Sequence, residues 1–194
     1  MIKKISRLFL TLVVSFCVFT SISFVAFAQT QEDGSYLIES KHFKIYCYPG
    51  VDINIVNEKI QVNFYDTILE KGSTLSDQAT TEEKLAYKFD LIFQKVERIL
   101  DMYPRKTNLK VKLYKGQKQL NNAYYQIFRG SNTPQRLSFY IHKYETIYTT
   151  QEAIRQGVLA HELGHAVCDH YFLILPPENV SELLAQYVET HLED

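Results

Sequence analysis

The stretch His161-Glu162-Leu163-Gly164-His165 constrains this chain more than any other part of its sequence. Two histidines four positions apart on a helix project from the same face, so both imidazoles can reach one metal ion. Glu162 follows the first histidine directly and can point toward a water on the metal instead of binding the metal itself. The spacing therefore predicts a helix that carries two metal ligands, His161 and His165, and a general base, Glu162.

The residues before this stretch predict where its helix begins. Thr149 and Glu152 have the spacing of a capping box, in which each side chain accepts a hydrogen bond from the other residue's backbone N–H. The helix would then begin about three turns before His161.

Small side chains form a stripe along the same predicted helix. They recur at intervals of four, three and four residues, at Ala153, Gly157, Ala160 and Gly164. A glycine inside a helix costs about 1 kcal/mol relative to alanine, so a close-packed neighbour should offset that cost. We expect the neighbour to be the long helix that begins at Thr81.

With this motif the chain resembles the zincin metallopeptidases, and specifically their gluzincin branch. In that branch a glutamate on the next helix completes the zinc site, often followed three residues later by a small residue. Ser181-Glu182-Leu183-Leu184-Ala185 fits the pattern, with Glu182 seventeen positions after His165. The resemblance implies one catalytic Zn²⁺ held by His161, His165 and Glu182, with Glu162 as the general base.

The third ligand has alternatives. Asn179 stands three residues before Glu182, so Glu182 could instead be the second member of a capping box. The other candidate ligands are Glu178, Asp169 and His170. The metzincin branch would need glycine at position 168 and histidine at position 171, where this chain has Cys168 and Tyr171, so that branch is rejected.

The chain also departs from the gluzincin pattern around the proposed ligands. Many thermolysin-like members carry an acidic residue four positions after the ligand, which orients one histidine, whereas this chain has Gln186 there. Glu189 is either such a support or a solvated charge. By analogy with the family, the strand at 137–141 would bind an extended peptide. The candidates for the oxyanion donor are Tyr140, His142, Tyr171, Tyr187 and His191.

The order of predicted elements indicates a small zincin-like α+β domain with a mixed or antiparallel sheet. Alternating apolar residues predict strands over 36–48, the first of them edge-like, 109–114 and 137–141. Apolar residues at helical spacing predict helices over 52–71, from Thr81 to an end at Tyr103-Pro104, and more weakly over 119–128. The metal-binding helix and a glutamate-bearing helix follow.

The glutamate-bearing helix has an apolar face that needs a cover. It comprises Val180, Leu183, Leu184, Tyr187 and Val188. The run Tyr171 to Leu175 is the expected cover, and a partner chain is the alternative, so an oligomer is possible through this face.

The first 28 residues predict a secretory signal peptide. Lys3, Lys4 and Arg7 precede an apolar run from Leu8 to Phe27, and Ala26-Phe27-Ala28 has the small-residue pattern of a cleavage site. Cleavage after Ala28 would leave one domain over 29–194, secreted or in the cell envelope, without stable membrane insertion. An uncleaved N-terminal membrane anchor is the alternative, because the run is long for a signal core.

The composition narrows the possible partners. The 194 residues suit one domain, and the net charge of -1 indicates neither nucleic acid nor an anionic surface as a partner. Cys47 and Cys168 would remain after cleavage. They are far apart in sequence and are interpreted either as a disulfide or as two small buried apolar residues.

These features predict a secreted zinc-dependent metallopeptidase that hydrolyses peptide bonds in a peptide or protein substrate. One alternative is a non-catalytic binding protein of the cell envelope that keeps the zincin scaffold. The intact Glu162 argues against it, because a purely structural site would not need that carboxylate. The other alternative is an amide hydrolase acting on cell-wall peptides, which the motif does not distinguish from a protease.

Overall fold

The structure is a computed structural model that describes residues 29–31, 33–62, 75–76, 78–129 and 136–192. The predicted signal peptide (1–28) lies outside these residues. The single helix predicted over 52–71 is wrong in its extent, because the helix ends at Lys59 and Ile60 has extended backbone; positions 63–71 lie outside the described residues. Of the described helices, none is both long and apolar enough to cross a membrane.

A six-stranded mixed sheet forms the centre of the fold, with the strand order β1-β2-β3-β4-β6-β5. The strands are β1 (Gln29–Thr30), β2 (Tyr36–Glu39), β3 (Phe43–Cys47), β4 (Leu109–Tyr114), β5 (Ser138–Ile141) and β6 (Thr146–Thr150). Strands β3, β4 and β6 are parallel, whereas β2 and β5 pair antiparallel with β3 and β6. The predicted α+β class with a mixed sheet is confirmed.

The edge-like strand predicted over 36–48 is instead a hairpin of β2 and β3. Strand β3 lies between β2 and β4, well inside the sheet. Its alternating residues Phe43, Ile45 and Cys47 are buried, which explains the period of two in the sequence.

In the described part of the chain, five α-helices accompany the sheet. They are α1 (Ile53–Lys59), α2 (Thr81–Leu100), α3 (Gln117–Phe128), α4 (Gln156–Tyr171) and α5 (Glu178–Thr190). The long helix predicted from Thr81 is confirmed as α2. Its N-terminus has a complete capping box, in which Glu83 accepts from the Thr80 backbone N–H at 2.8 Å and Thr80 accepts in return at 3.2 Å.

The two faces of the sheet carry separate apolar clusters. Residues on one side of β4, such as Val111, pack with α2 and α4 in the larger cluster. Residues on the other side, such as Tyr114, pack with Leu120 of α3 in the smaller one. The alternation along β4 thus divides the molecule into a face that carries α4 and a face that carries α3.

The predicted start of the metal-binding helix is wrong. Thr149 belongs to β6, where it pairs with Leu113 of β4 on one side and Ser138 of β5 on the other. Helix α4 begins only at Gln156, after Arg155, and has no side-chain cap. The strand forms because pairing on both sides satisfies more backbone groups than a local capping box could.

The predicted neighbour of the glycine stripe is also wrong. A Cβ atom on Gly164 would lie 2.9 Å from the Cα of Ala185, and one on Gly157 would lie 3.5 Å from Cγ of Glu189. Both contacts are with α5, not with α2. The glycine at position 164 therefore allows the backbones of α4 and α5 to approach closely.

Candidate metal centre

Helices α4 and α5 bring the three predicted metal ligands together. His161 and His165 lie on one face of α4, and Glu182 lies one turn before Ala185, the residue that contacts Gly164. One ligand atom from each of the three lies within 4.8 Å of the others. We call these three residues the metal triad, and this group could hold a metal ion.

The carboxylate of Glu182 faces the same ring nitrogen of both histidines. Its Oε1 lies 3.6 Å from Nε2 of His161, and its Oε2 lies 3.4 Å from Nε2 of His165. The two Nε2 atoms and the carboxylate therefore converge on one point, as metal ligands must. Within the described part of the chain, no other group of three potential ligands converges in this way.

The structure supports neither the capping role considered for Glu182 nor the other candidates for the third ligand. Helix α5 begins at Glu178 after Pro177, so Asn179 lies inside the helix and cannot cap it. Asp169 accepts a hydrogen bond from the Tyr140 hydroxyl at 2.5 Å and also contacts Nδ1 of His142. His170 and Glu178 do not belong to the convergent group either.

The other ring nitrogen of each histidine contacts α5. Nδ1 of His161 lies 3.2 Å from Oε2 of Glu189, and Nδ1 of His165 lies 3.0 Å from Oγ of Ser181. Such contacts fix the orientation of a metal-binding imidazole and leave Nε2 for the metal. Nδ1 of His161 has no hydrogen-bond partner among the described residues, so the contact from Glu189 is an ion-pair distance only, and support of the site by Glu189 stays a prediction.

Glu189 provides the acidic contact to a histidine that Gln186 cannot provide. In place of an acidic partner for a histidine, Gln186 donates a hydrogen bond from Nε2 to Oε1 of Glu182 at 3.0 Å. The acidic partner of His161 comes from Glu189, seven positions after Glu182, instead. Helix α5 thus contributes the candidate ligand Glu182, two contacts to the histidines, and a hydrogen-bond donor to Glu182.

Burial keeps His165 in the state that a metal requires. It lowers the pKa of His165, and the nearby charge of His161 lowers it further, so the neutral imidazole is favoured. A neutral imidazole has the free lone pair that binds a metal ion.

Glu162 is a buried carboxyl group beside the metal triad. Its residue is only 5% exposed, and burial raises its pKa to about 7. Hydrogen-bonding interactions with the Ser138 side chain and the Tyr140 backbone act in the opposite direction. Both residues belong to β5, so the edge strand holds this carboxyl. Sequence reasoning missed Ser138, although its two-residue spacing from Tyr140 places both on one side of the strand.

The oxyanion donor stays unassigned. Tyr140 donates its hydroxyl to Asp169, and the rings of Tyr187 and His191 stack with centroids 4.0 Å apart. His142 contacts Asp169, and the ring of Tyr171 packs edge-on against Phe172. None of the five candidates belongs to the metal triad.

The predicted cover of the last helix is wrong. Leu173 is fully exposed and Ile174 is 87% exposed, so the run from 171 to 175 is itself at the surface. Leu183 and Tyr187 on α5 are also exposed, whereas Val188 is buried against the larger apolar cluster. Coverage of the exposed part by a partner chain stays a prediction.

The two cysteines are separate buried residues. Cys47 in β3 and Cys168 in α4 are both free, and burial raises the pKa of each thiol. This agrees with their interpretation as small apolar residues of the core.

Comparison with known proteins adds no family to these observations. No family model matches the chain, and no curated protein or solved structure matches it.

Proposed function

We propose that this chain is a zinc-dependent metallopeptidase of the gluzincin type, which hydrolyses peptide bonds in a peptide or protein substrate. The convergence of the metal triad, with the buried carboxyl of Glu162 next to His161 on the same helix, carries the proposal. If the predicted signal peptide is cleaved, the enzyme acts outside the cytoplasm.

The donor set fits zinc. Two imidazoles and one carboxylate are a common ligand set of catalytic zinc, which leaves a fourth position for water or substrate. Contacts from Ser181 and Glu189 to the Nδ1 atoms leave both Nε2 atoms for the ion. When bound, zinc polarises the scissile carbonyl group and lowers the pKa of a bound water.

Glu162 is the proposed general base. Its carboxylate takes the proton of the attacking water and passes it to the nitrogen of the leaving amine. A pKa near 7 suits both steps, because the group can accept and release a proton close to neutral pH. Strand β5 holds the carboxyl through Ser138 and Tyr140, which fixes its direction.

Strand β5 also provides the proposed substrate-binding edge. It pairs with β6 on one side, and no other described strand pairs with its second side. An extended peptide can add to such an edge through backbone hydrogen bonds. The peptide would then run beside Glu162, because Ser138 and Tyr140 on the same strand contact that carboxyl.

Metal analysis of ligand variants tests the proposed site. We expect one zinc per purified chain, with loss of stoichiometric zinc in Glu182→Ala and retention in Glu178→Ala. The second variant is a matched control, because Glu178 begins the same helix but does not belong to the metal triad. Full zinc content in Glu182→Ala would contradict the assignment. Stoichiometric zinc without cleavage of any peptide would favour the non-catalytic binding protein.

A further inference from the structure

Apart from the metal triad, the structure has a pocket at the end of the sheet where the parallel strands begin. Lys41 and His42 precede β3, Thr107 precedes β4, and Glu145 precedes β6, and all four line the pocket. His170, near the end of α4, lines it as well. The volume is about 520 Å³, which is within the range of small-molecule sites. We call this cavity the basic pocket.

The basic pocket is separate from the metal triad. His170 follows His165 by five positions, so it leaves α4 at about 140° from His165 around the helix axis. The basic pocket also takes residues from the loops before β3 and β4, neither of which contributes to the metal triad. Its ligand chemistry can therefore be judged independently of the proposed peptidase.

The lining of the basic pocket has an excess of positive charge. Lys41, Arg105 and Lys106 contribute three cations, and Glu145 contributes one carboxylate. None of the three cations forms an ion pair with a described residue. The nearby carboxylate of Asp90 is instead occupied by the Ser40 hydroxyl and by the backbone N–H groups of the Lys41 loop. The lining thus keeps an excess of two positive charges, with the Asp90 carboxylate close enough to interact electrostatically with Lys41.

Two histidines of the basic pocket have ring nitrogens without partners. Nε2 of His42 and Nε2 of His170 are buried and accept or donate no hydrogen bond within the described residues. The other nitrogen of His42 lies 3.2 Å from Oγ1 of Thr107, and its ring packs against Phe93. A buried polar atom without a partner is costly, at about 1–3 kcal/mol, so a ligand that reaches these atoms would be favoured.

His42 does not supply the positive charge. Burial, with the charge of Lys41 added, lowers the pKa of His42 to about 4, so this ring is neutral at pH 7. A metal ion is a poor candidate ligand, because three cationic side chains would repel it and no three ligand atoms converge in the pocket. An anion with several oxygen atoms satisfies both the free charges and the polar lining.

We propose that the basic pocket binds the phosphate group of an organic phosphate. A guanidinium group recognises phosphate through paired N–H donors, and ammonium groups add point charges, so Arg105 with Lys41 and Lys106 is a suitable set. The Thr107 hydroxyl and the Asn108 amide line the same space and add polar contacts. The volume leaves room for an organic part. A soluble phosphate ester and a phospholipid headgroup share this chemistry.

Calorimetric titration with inorganic phosphate and with glycerol 3-phosphate tests the proposal. The chain is titrated with and without chelator, since a metal ion at the metal triad could itself bind phosphate. We expect saturable binding that persists in chelator and weakens as salt is added. Cosedimentation with phosphatidylglycerol vesicles, against phosphatidylcholine vesicles, identifies a lipid source if soluble esters do not bind.

Charge-removing variants locate the binding site. The double substitution Arg105→Gln and Lys106→Gln should weaken phosphate binding about tenfold or more, because hydrogen bonds to charged groups are lost. Lys118→Gln is the matched control, an exposed lysine on α3 outside the pocket. NMR signals of the His42 ring should shift on phosphate addition in the wild type and in Lys118→Gln, but not in the double variant. Equal binding by the double variant, equal loss in the control, or no binding of soluble esters and vesicles alike would overturn the proposal.

Discussion

Among the described residues, Glu162 is a carboxyl group whose burial strongly changes its pKa. Burial raises its pKa from 4.5 to about 7, so the folded chain holds this proton more tightly than the unfolded chain does. The stabilisation by the protonated group is complete below pH 4.5 and is lost as the pH rises through 7. The metal-free chain is therefore expected to lose stability in this window.

Replacement of Glu162 by glutamine should remove the loss of stability that the metal-free chain shows as the pH rises. In chelator, Glu162→Gln should be more stable than the wild type at pH 8, by about 3 kcal/mol, and should differ little at pH 5. Thermal or urea unfolding at the two pH values measures the difference. Glu178→Gln, at the first position of α5, is the control and should show no such pH dependence. A Glu162→Gln variant with equal advantage at both pH values would contradict the buried ionisation.

Glu189 is expected to act on the metal through His161. The substitution Glu189→Gln removes the charged partner of Nδ1 and should weaken zinc binding by about 10–100-fold. Competition with a chromogenic chelator measures the affinity directly, without an activity assay. Glu178→Gln serves again as the control for loss of one negative charge from α5. Unchanged zinc affinity in Glu189→Gln would mean that the contact does not support the site.

The three residues of the metal triad could be predicted from the sequence, whereas the contacts around them could not. His161 and His165 follow from helical spacing, and Glu182 followed from the resemblance to gluzincins. Ser181 and Glu189 have no such pattern, because their roles depend on how closely α5 packs on α4. The histidine that each contacts is set by this packing and not by distance along the chain.

At the scale of elements, the packing of α4 on α5 positions the site. Gly164→Ala should destabilise the chain by about 1–3 kcal/mol, because the new Cβ would meet the Cα of Ala185 at 2.9 Å, a backbone atom that cannot move aside alone. It should also weaken zinc binding, since Glu182 lies one turn from that contact. Calorimetric unfolding and zinc competition measure the two effects.

Gly157→Ala is the matched control for this substitution. Its Cβ would meet Cγ of Glu189 at 3.5 Å, an ordinary contact with a flexible side chain. Because alanine favours the helix over glycine, stability should be unchanged or slightly higher. If the Gly164 and Gly157 variants behaved alike, close approach of the two helices would not be the reason for glycine at position 164.

The elements around the metal motif show where sequence patterns fail. Strand β6 was not predicted, because all five of its residues are buried and its three threonines give no alternation of apolar and polar residues. One of these threonines, Thr149, has the spacing of a helix cap with Glu152 when only the local sequence is considered. Helix α2 was predicted well, because its apolar stripe and its capping residues agree. Strand β6 depends on pairing with strands that are distant in sequence, whereas helix α2 depends on the local spacing of its residues.

At the scale of the whole molecule, both candidate sites lie next to the same sheet. The metal triad lies between α4 and α5 beside the edge strand β5, and the basic pocket lies where β3, β4 and β6 begin. The α+β class could be predicted from the order of elements. The strand order could not be predicted. It depends on the pairing of β4 with β3 and with β6, and these strands are far apart in the sequence.

Digestion of a broad peptide library by the zinc-loaded chain and by zinc-loaded Glu162→Gln tests the central claim most directly, with zinc content measured in the same samples. The account predicts cleavage by the wild type, its loss on addition of chelator, and no cleavage by Glu162→Gln at equal zinc content. Cleavage by the zinc-loaded Glu162→Gln variant at the rate of the wild type would contradict it.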